Sequence, residues 1–346
     1  MLISVIVPFL NASRTLPYGL DALAAQNHKD FEVIFVDNGS ADESAGQIRK
    51  FQSDHPALRV MLIAESRRSA AAARNAGVRA AQGDWIAFTD ADCVPDPYWL
   101  ADLAAATVRQ PEVAAFAGTI VPAASVELIP SFLGLFTLPA VRREQLYERY
   151  TLVSGGFPTA NFMVSKPVFE QAGGFDPDIA IYGEDHDLCM RIYQTGGRIQ
   201  SLTNAIVRHI HRDSLKGLVK QSFGFGRSHA LMLKKISGGA LLLMAPGLRF
   251  VKPGLRLPAR VWLDLNQADK KFLLAVLLGF VWLPLALLVP AYLVYLYASI
   301  YRRAQQRRAL CAPQTVFAYE GLLLLKSASM TLGRIYGSLK YRVFCL

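Results

Sequence analysis

The amino-acid sequence predicts an α/β fold with a doubly wound, mostly parallel sheet, followed by a C-terminal membrane-associated helical region. Three observations lead to this prediction. Short β-rich runs alternate with helical segments over residues 2–89, the connections between them are short, and residues 272–301 contain no charged side chain. A chain of 346 residues has room for one large domain with an appendage, or for two domains.

The N-terminal elements follow from local composition. Runs rich in Val, Ile and Phe predict strands at 2–7, 31–36, 58–63 and 84–89. Helical spacing of apolar residues, such as Leu16, Leu20 and Leu23, predicts helices at 15–27, 41–53 and 69–81. Strands that alternate with helices through short connections are typical of a parallel sheet, whose ligands sit at the carboxyl ends of the strands.

Polar residues follow three of these strands at that edge. They are Pro8 with Asn11, Asp37 with Asn38, and Asp90 with Asp92. Strand alternation would point the last two carboxylates to the same side. Oxygen ligands of this kind suit Mg²⁺ or Mn²⁺, whose shell is usually completed by substrate phosphates. Two acids separated by one residue are also common in solvated loops, so the convergence of three clusters is the stronger signal.

A further helix is predicted to start close to Tyr182. Asp185 or a neighbour would cap it, and Asp187 would pair with Arg191 at the i,i+4 spacing. Before it, Gly155–Asn161 and Gly173–Asp176 are rich in turn residues.

Charge divides the chain into two parts. Residues 207–346 carry 21 basic and 4 acidic side chains, whereas residues 1–206 carry 16 basic and 23 acidic ones. A basic half indicates either nucleic acid or an anionic membrane surface as partner. Because the basic residues flank apolar segments and form no polar stripe, we expect a membrane and no nucleic acid. The four cysteines form no close pair, which indicates neither a zinc site nor a disulfide framework.

The apolar segment 272–301 is flanked by basic residues at 270–271 and 302–303. Thirty residues exceed the roughly 20 that one spanning helix needs. Pro284 and Pro290 interrupt the segment, and the basic flanks favour both ends on the cytoplasmic side. A re-entrant or shallow hairpin is therefore favoured over a single tilted span, and a buried core helix is the weaker alternative. Residues 238–251 and 315–346 are expected to form interfacial helices on either side.

Five segments occur in a fixed order, and together they resemble a known family. They are Ile6–Asn11, Phe35–Asp42, Ala73–Gly77, Asp90–Asp92 and Gly183–Asp187. Their order and spacing are similar to those of family 2 glycosyltransferases, specifically the inverting, membrane-associated bacterial type. The resemblance implies a GT-A fold, which is Rossmann-like, and covers about residues 2–230. We therefore expect a catalytic domain at 1–230 and a basic, apolar membrane-associated region at 231–346.

The resemblance also implies roles for individual residues. Asp185 would be the general base, and Asp92 and His209 would hold Mg²⁺ or Mn²⁺. Glu184 and Arg227 would lie near the acceptor or the diphosphate. Two glycines just before Arg227, Gly224 and Gly226, indicate that the backbone there approaches another group closely. The nucleotide-sugar contacts it implies are Pro8, Asn11, Asp37, Asn38, Arg74 and Asp90.

The expected function is therefore transfer of a sugar from a nucleotide-diphosphate sugar to a lipid-linked or cell-envelope glycan acceptor. The first residues, Met1–Pro8, form a strand rather than a signal peptide, so the catalytic domain is expected on the cytoplasmic side of the inner membrane. Two alternatives stay open. One is a membrane-bound nucleotide-sugar-binding scaffold without catalysis, and the other is a sugar nucleotidyltransferase, which would release diphosphate.

Overall fold

The computed structural model describes most of the chain and divides it into two compact units. The first unit comprises Met1–Ala123 and Leu138–Ile210, and the second comprises Ala124–Thr137 and His211–Leu346. The described residues are 1–137, 141, 143–152, 154–179, 182–236, 239–255 (backbone only from 251), 260–307 and 309–346.

The elements run in the following order. The strands are β1 (Ile3–Phe9), β2 (Phe31–Asp37), β3 (Arg59–Ala64), β4 (Trp85–Phe88), β5 (Cys93–Pro95), β6 (Ala115–Pro122), β7 (Gln145–Tyr147), β8 (Phe162–Ser165), β9 (Ile199–His209), β10 (Gly239–Ala245), β11 (Leu248–Leu255), β12 (Arg260–Asp264) and β13 (Phe344–Cys345). The helices are α1 (Leu16–Ala24), α2 (Ser44–Asp54), α3 (Ala70–Ala80), α4 (Trp99–Arg109), α5 (Leu128–Phe136), α6 (Lys166–Gln171), α7 (Glu184–Gln194), α8 (Leu215–Lys235), α9 (Ala268–Val281), α10 (Leu288–Gln306) and α11 (Pro313–Tyr341), with 3₁₀ turns at Thr159–Asn161 and Leu283–Leu287. The boundary predicted at residue 230 falls inside α8, and the two units part instead at Ile210.

The first unit contains the predicted α/β sheet. Its strand order is β3-β2-β1-β4-β8-β6-β9-β5, with β7 also paired to β9. The first four strands in this order are parallel, as expected. Pro8 does not end β1, which continues to Phe9 and aligns there with Asp37 of β2. The carboxyl ends of β2, β1 and β4 therefore lie side by side, and the polar residues that follow them meet at one edge of the sheet.

Helices cover both faces of this sheet, which is what makes it doubly wound. Alternate residues of β1 enter opposite cores, so that Val5 packs on the side of α1 and α4 while Ile6 packs on the side of α3 and α7. Helix α3 lies so close to the sheet that a Cβ at Gly77 would come within 2.5 Å of the Ile6 side chain. The glycine of the Ala73–Gly77 segment is thus explained by helix-to-sheet packing.

The second unit contains a small sheet that the sequence analysis did not predict. Its order is β11-β10-β12-β13, with β10 and β11 antiparallel. The prediction of a helix over residues 238–251 is wrong. Within this range the chain forms β10 and the start of β11, and it turns back between them at Gly247, which has φ +74°. Pro246 and Gly247 are the turn signal that favours a hairpin over a helix here. The helix expected over 315–346 is present as α11, up to Tyr341.

Helices α8 and α11 pack backbone against backbone through glycines. A Cβ at Gly226 would collide with the carbonyl oxygen of Met330, and a Cβ at Gly333 would collide with that of Phe223. The close approach expected around Gly226 therefore exists, but it brings α8 against α11.

Candidate active site

The acidic turn after β4 is the first part of the site. Strand β4 ends at Phe88, and both Asp90 and Asp92 lie in the turn that leads to β5. Strand alternation consequently does not orient their side chains. Asp90 bonds to Arg74, whereas Asp92 approaches His209. The two carboxylates have separate partners, which corrects the expectation that they form one oxygen-rich pair.

Arg74 is a buried link between two acidic segments. The residue is 4% exposed; its Nη2 donates to Asp90 Oδ1 at 2.8 Å, and its Nη1 donates to Glu184 Oε1 at 2.9 Å. Burial opposes the charge of this group, but the neighbouring carboxylates outweigh it and raise the pKa of Arg74. The structure thus shows Arg74 joining the turn after β4 to the start of α7, and its predicted contact with the nucleotide sugar stays a prediction.

The start of α7 places Glu184 and Asp185 at the positive end of a helix. Tyr182 and Gly183 both have left-handed backbone conformations, with φ +58° and +104°, and they turn the chain into the helix. Burial first, and then the charge of Asp185, raises the pKa of Glu184. Glu184 Oε2 is buried and has no hydrogen-bond partner among the described residues. The predicted pair of Asp187 with Arg191 is present at 2.7 Å.

Asp185 is the carboxylate of this turn that no described basic side chain binds. Its Oδ1 accepts a hydrogen bond from the backbone N–H of His186 at 2.8 Å. The imidazole of His186 is held in turn by Tyr150, whose hydroxyl lies 3.2 Å from Nδ1. Burial raises the pKa of Tyr150, so its hydroxyl keeps its proton. Glu184 thus binds Arg74, whereas Asp185 accepts a backbone N–H and pairs with no described basic side chain.

The candidate metal site is formed where β5 pairs with the end of β9. The antiparallel register sets Cys93 opposite His209, and the N–H of Ile210 donates to the carbonyl of Asp92 at 2.8 Å. This pairing brings His209 Nε2 to 3.5 Å from Asp92 Oδ1. Ligand atoms of Asp92, Cys93 and His209 all lie within 4.8 Å of one another. One carboxylate and one imidazole fit a six-coordinate Mg²⁺ or Mn²⁺ that takes its remaining ligands from phosphates and water.

The turn after β2 is the third part of the site. Asp37 Oδ1 accepts hydrogen bonds from the N–H groups of Gly39 and Ser40, at 3.1 and 2.8 Å, as in an Asx turn. Asn38 is buried, and its Nδ2 donates to the carbonyls of Glu65 and Arg67. Both amide donors of Asn38 therefore hold the loop after β3 in this structure, and its predicted contact with the nucleotide stays a prediction.

The loop after β1 is fastened to that turn. Asn11 has φ +51°; its N–H donates to Ser40 Oγ at 3.0 Å, and its Oδ1 accepts from the N–H of Ala41 at 2.8 Å. Pro8 is half-buried inside β1, opposite Val36. Asn11 and Asp37 thus belong to one connected pair of loops, in agreement with their predicted position.

Some residues at this edge were not recognised from the sequence. The Arg68 guanidinium lies over Gly39, at 3.5 to 3.9 Å from the point where a Cβ would stand, which puts a cation beside the Asp37 turn. The amide of Asn75 both donates to and accepts from the backbone of Phe175, and this fastens α3 to the loop before α7. The Ala73–Gly77 segment marks Asn75, but a partner 100 residues away leaves no signal in one sequence.

One predicted site residue lies in the other unit. Arg227 is on α8 of the second unit, half-buried, and its predicted role near the diphosphate or acceptor stays a prediction.

Comparisons with known proteins indicate the family of this domain. Residues 4–173 match the family model described as Glycosyl transferase family 2. A pre-mycofactocin glycosyltransferase of Mycobacterium tuberculosis is 30% identical over 256 residues, which cover 69% of this chain and 51% of the relative. The chain thus spans about half the length of that relative. The amylovoran biosynthesis glycosyltransferase AmsB of Erwinia amylovora is 28% identical over 211 residues, or 60% of this chain and 68% of AmsB.

A solved structure has a similar fold. The mannosyltransferase PcManGT from Pyrobaculum calidifontis, in complex with GDP-Man and Mn²⁺, superposes with a TM-score of 0.55 at 18% identity, over 94% of this chain and 86% of that one. The likeness confirms the GT-A fold class. Residues 4–173 of this chain therefore form a glycosyl transferase family 2 domain.

Proposed function

We propose that this protein is an inverting glycosyltransferase. It moves a sugar from a nucleotide-diphosphate sugar to a lipid-linked or cell-envelope glycan acceptor, at the cytoplasmic face of the inner membrane. The observation that carries the proposal is the buried Arg74, which holds the acidic turn of Asp90 next to Glu184 and hence next to Asp185. This contact supports a proposal in which the acidic turn would bind the diphosphate donor and Asp185 would act as the base at the same edge of the sheet.

The donor side uses the fastened loops after β1 and β2. Asp37 keeps one carboxylate oxygen beyond the Asx turn, and carboxylate oxygens accept hydrogen bonds from ribose hydroxyls or from a base N–H. Arg68 offers a cation beside the same turn. Both groups stand on loops whose hydrogen bonds are already made, so little ordering is needed when a nucleotide binds.

A divalent cation held by Asp92 and His209 would supply Lewis-acid stabilisation to the leaving diphosphate. Relatives support this role, since PcManGT was solved with Mn²⁺ and GDP-Man. The Asp92 carboxylate and the His209 imidazole are pre-positioned by strand pairing, so the ligands do not have to assemble from flexible loops.

The transfer step needs a base for the acceptor hydroxyl. Asp185 takes the proton as the hydroxyl oxygen forms a bond to the anomeric carbon, and the bond from that carbon to the diphosphate oxygen breaks. The nucleoside diphosphate leaves with that electron pair. Glu184 is held by Arg74, whereas Asp185 accepts only a backbone N–H among the contacts of the described residues, so Asp185 is the group better placed to take the proton.

The experiment measures nucleoside diphosphate release from a panel of nucleotide sugars by the full chain, with and without Mg²⁺ or Mn²⁺. We expect Asp185→Asn to lower transfer by roughly 10²–10⁴-fold while the protein stays folded. Asp54→Asn, an exposed acid on α2, is the matched control and should keep full activity. Full transfer by a folded Asp185→Asn variant would show that another group is the base.

The same assay separates the two alternative functions. A nucleotidyltransferase would release inorganic diphosphate from a nucleoside triphosphate. A binding scaffold would retain the nucleotide sugar and release nothing, with any donor and either metal. Release of a nucleoside diphosphate that increases when an acceptor is added supports the transferase.

A further inference from the structure

The long apolar segment of the second unit folds back on itself. Helix α9 ends at Val281, the 3₁₀ turn Leu283–Leu287 follows, and α10 returns. The hydroxyl of Tyr292 donates to the carbonyl of Ala268 at 3.2 Å, so the middle of the returning leg lies beside the start of α9. We call residues 268–295 the apolar hairpin.

The tip of this hairpin is a patch of exposed apolar side chains. Phe280 is 85% exposed, and Val281 and Leu283 are each 81% exposed. Trp282 and Leu287 are exposed as well. A soluble protein rarely exposes so many large apolar side chains together, so the tip is expected to contact an apolar partner.

Neither leg of the hairpin is long enough to cross a bilayer. By length and composition, Leu283–Gln306 would pass as a membrane span. However, Leu296, Ile300 and Ala304 of that stretch are buried in a core shared with α5 and α11. The exposed part of the returning leg, from Leu283 to Tyr295, is about 20 Å long, and the 14 residues of α9 reach about 21 Å. A hydrocarbon core is about 30 Å thick.

Basic residues mark how deep the hairpin would lie. Lys271 is on α9, about 15 Å from Val281, which is half of the hydrocarbon thickness. Arg302 is exposed near the end of the returning leg, on the base side of Tyr292. At the base, the Asp269 carboxylate accepts hydrogen bonds from Ser327 and Thr331 of α11, which fixes the hairpin to the rest of the second unit. The cations are therefore placed to meet lipid phosphates while the tip lies among acyl chains.

We propose that the apolar hairpin is a monotopic anchor, which enters one leaflet of an anionic bilayer and leaves on the side from which it entered. The inference rests on the membrane location in the proposed function and is independent of the transfer chemistry. The partner is a lipid surface, because the apolar tip of the hairpin matches acyl chains and the positively charged residues at its other end match acidic headgroups. The charge of this part of the chain agrees, since residues 207–346 carry 21 basic against 4 acidic side chains.

Depth is measured with the full chain on vesicles of phosphatidylcholine, with or without phosphatidylglycerol, that carry bromine at successive acyl positions. Trp282 is 62% exposed, whereas Trp99 and Trp262 are buried. We expect tryptophan fluorescence to be quenched most strongly by bromines within one leaflet, and we expect this quenching to disappear in Trp282→Phe. Full binding to the vesicles should require phosphatidylglycerol. Quenching unchanged in Trp282→Phe would overturn the insertion of the tip. Full binding without phosphatidylglycerol would overturn the contribution of the basic residues.

Sidedness distinguishes an anchor from a span. Asn266→Cys and Gln305→Cys, both exposed sites on either side of the hairpin, are made in a Cys311→Ser background because the other native cysteines are buried. On sealed vesicles, an impermeant maleimide should label both from the same side. Labelling from opposite sides would mean that the segment spans the bilayer and would overturn the proposal.

A paired substitution tests the apolar patch. Phe280→Glu with Leu283→Glu should weaken vesicle binding by roughly tenfold or more, because each removes a large apolar side chain from the acyl region. Val108→Glu, at an equally exposed site on α4, is the control. Donor hydrolysis by these variants is measured in parallel and should be unchanged. A loss of vesicle binding with intact hydrolysis supports the anchor, whereas intact binding overturns it whatever the hydrolysis rate.

Discussion

The two units are stabilised in different ways. The first unit buries its apolar side chains on both faces of a sheet and adds a buried, charged bridge at Arg74. The second unit packs helices through glycines and leaves large apolar side chains exposed on the hairpin. Residues 1–206 are acidic and residues 207–346 are basic. The difference fits our two proposals, in which the first unit binds an anionic donor with its metal and the second unit contacts a lipid surface.

The largest effect is expected at Arg74. Arg74→Ala removes the shared partner of Asp90 and Glu184, and breaking such a buried pair typically costs about 3–5 kcal/mol. Urea unfolding of the full chain measures the loss, which should appear in the transition of the first unit. Arg79→Ala lies on the same helix, but its side chain is 68% exposed, and it should change the free energy of unfolding by less than about 1 kcal/mol. Equal effects of the two substitutions would contradict the bridging role.

Metal dependence tests the first unit next. Asp92→Asn should raise the Mg²⁺ or Mn²⁺ concentration for half-maximal transfer by about tenfold or more, because one of two side-chain ligands becomes a neutral amide. A metal titration of activity measures this shift. Asp178→Asn, whose side chain is 87% exposed, should leave the titration unchanged. An unchanged titration in Asp92→Asn would move the metal site elsewhere.

Glycine packing tests the second unit. Gly333→Ala would push a methyl group into the carbonyl of Phe223, and overpacking of this kind costs about 1–3 kcal/mol. Gly321→Ala, on the same helix with nothing within 4 Å, should instead stabilise by about 0.5–1 kcal/mol. Thermal unfolding in detergent compares the two variants. A destabilised Gly321→Ala would mean that the helix itself, and not its contact with α8, responds to the change.

The smallest effect concerns pH. The hydroxyl and N–H of Ser44 and the N–H of Ser13 all donate to Asp42, and these bonds lower the pKa of Asp42 from 3.8. A lowered pKa in the folded state stabilises the fold above pH 3.8 and loses that contribution as the pH falls through the folded value. Asp42→Asn should therefore unfold slightly more easily than the parent protein at pH 7, with a difference that shrinks in acid. A constant difference from pH 7 to pH 3 would argue against this linkage.

Local patterns predicted the first unit well. The strands and helices up to Phe88 and the α7 start were found because each carries its own periodicity or turn signal. The β10–β11 hairpin was missed because leucines with interspersed basic residues match an interfacial helix as well as a strand, and only Gly247 distinguishes the two.

Side-chain partners were harder to predict than elements. Arg74 meets Glu184 across 110 residues, and one sequence contains no record of that contact. The family resemblance implied a nucleotide contact for Asn38. Its burial against the loop after β3 depends on how two strands align, which periodicity does not determine. The nearness of Asp92 to His209 likewise depends on the pairing of β5 with β9.

The shared guanidinium of Arg74 has a consequence for how donor binding and acceptor binding would affect each other. A donor that draws Asp90 away from Arg74 leaves more of the positive charge to Glu184, and this changes the field at the neighbouring Asp185. By thermodynamic linkage, an acceptor that binds at Asp185 must alter donor affinity by the same factor. On the proposed assignments of Asp90 and Asp185, one buried arginine would couple donor binding to acceptor binding, and measuring donor affinity with and without acceptor gives the coupling directly.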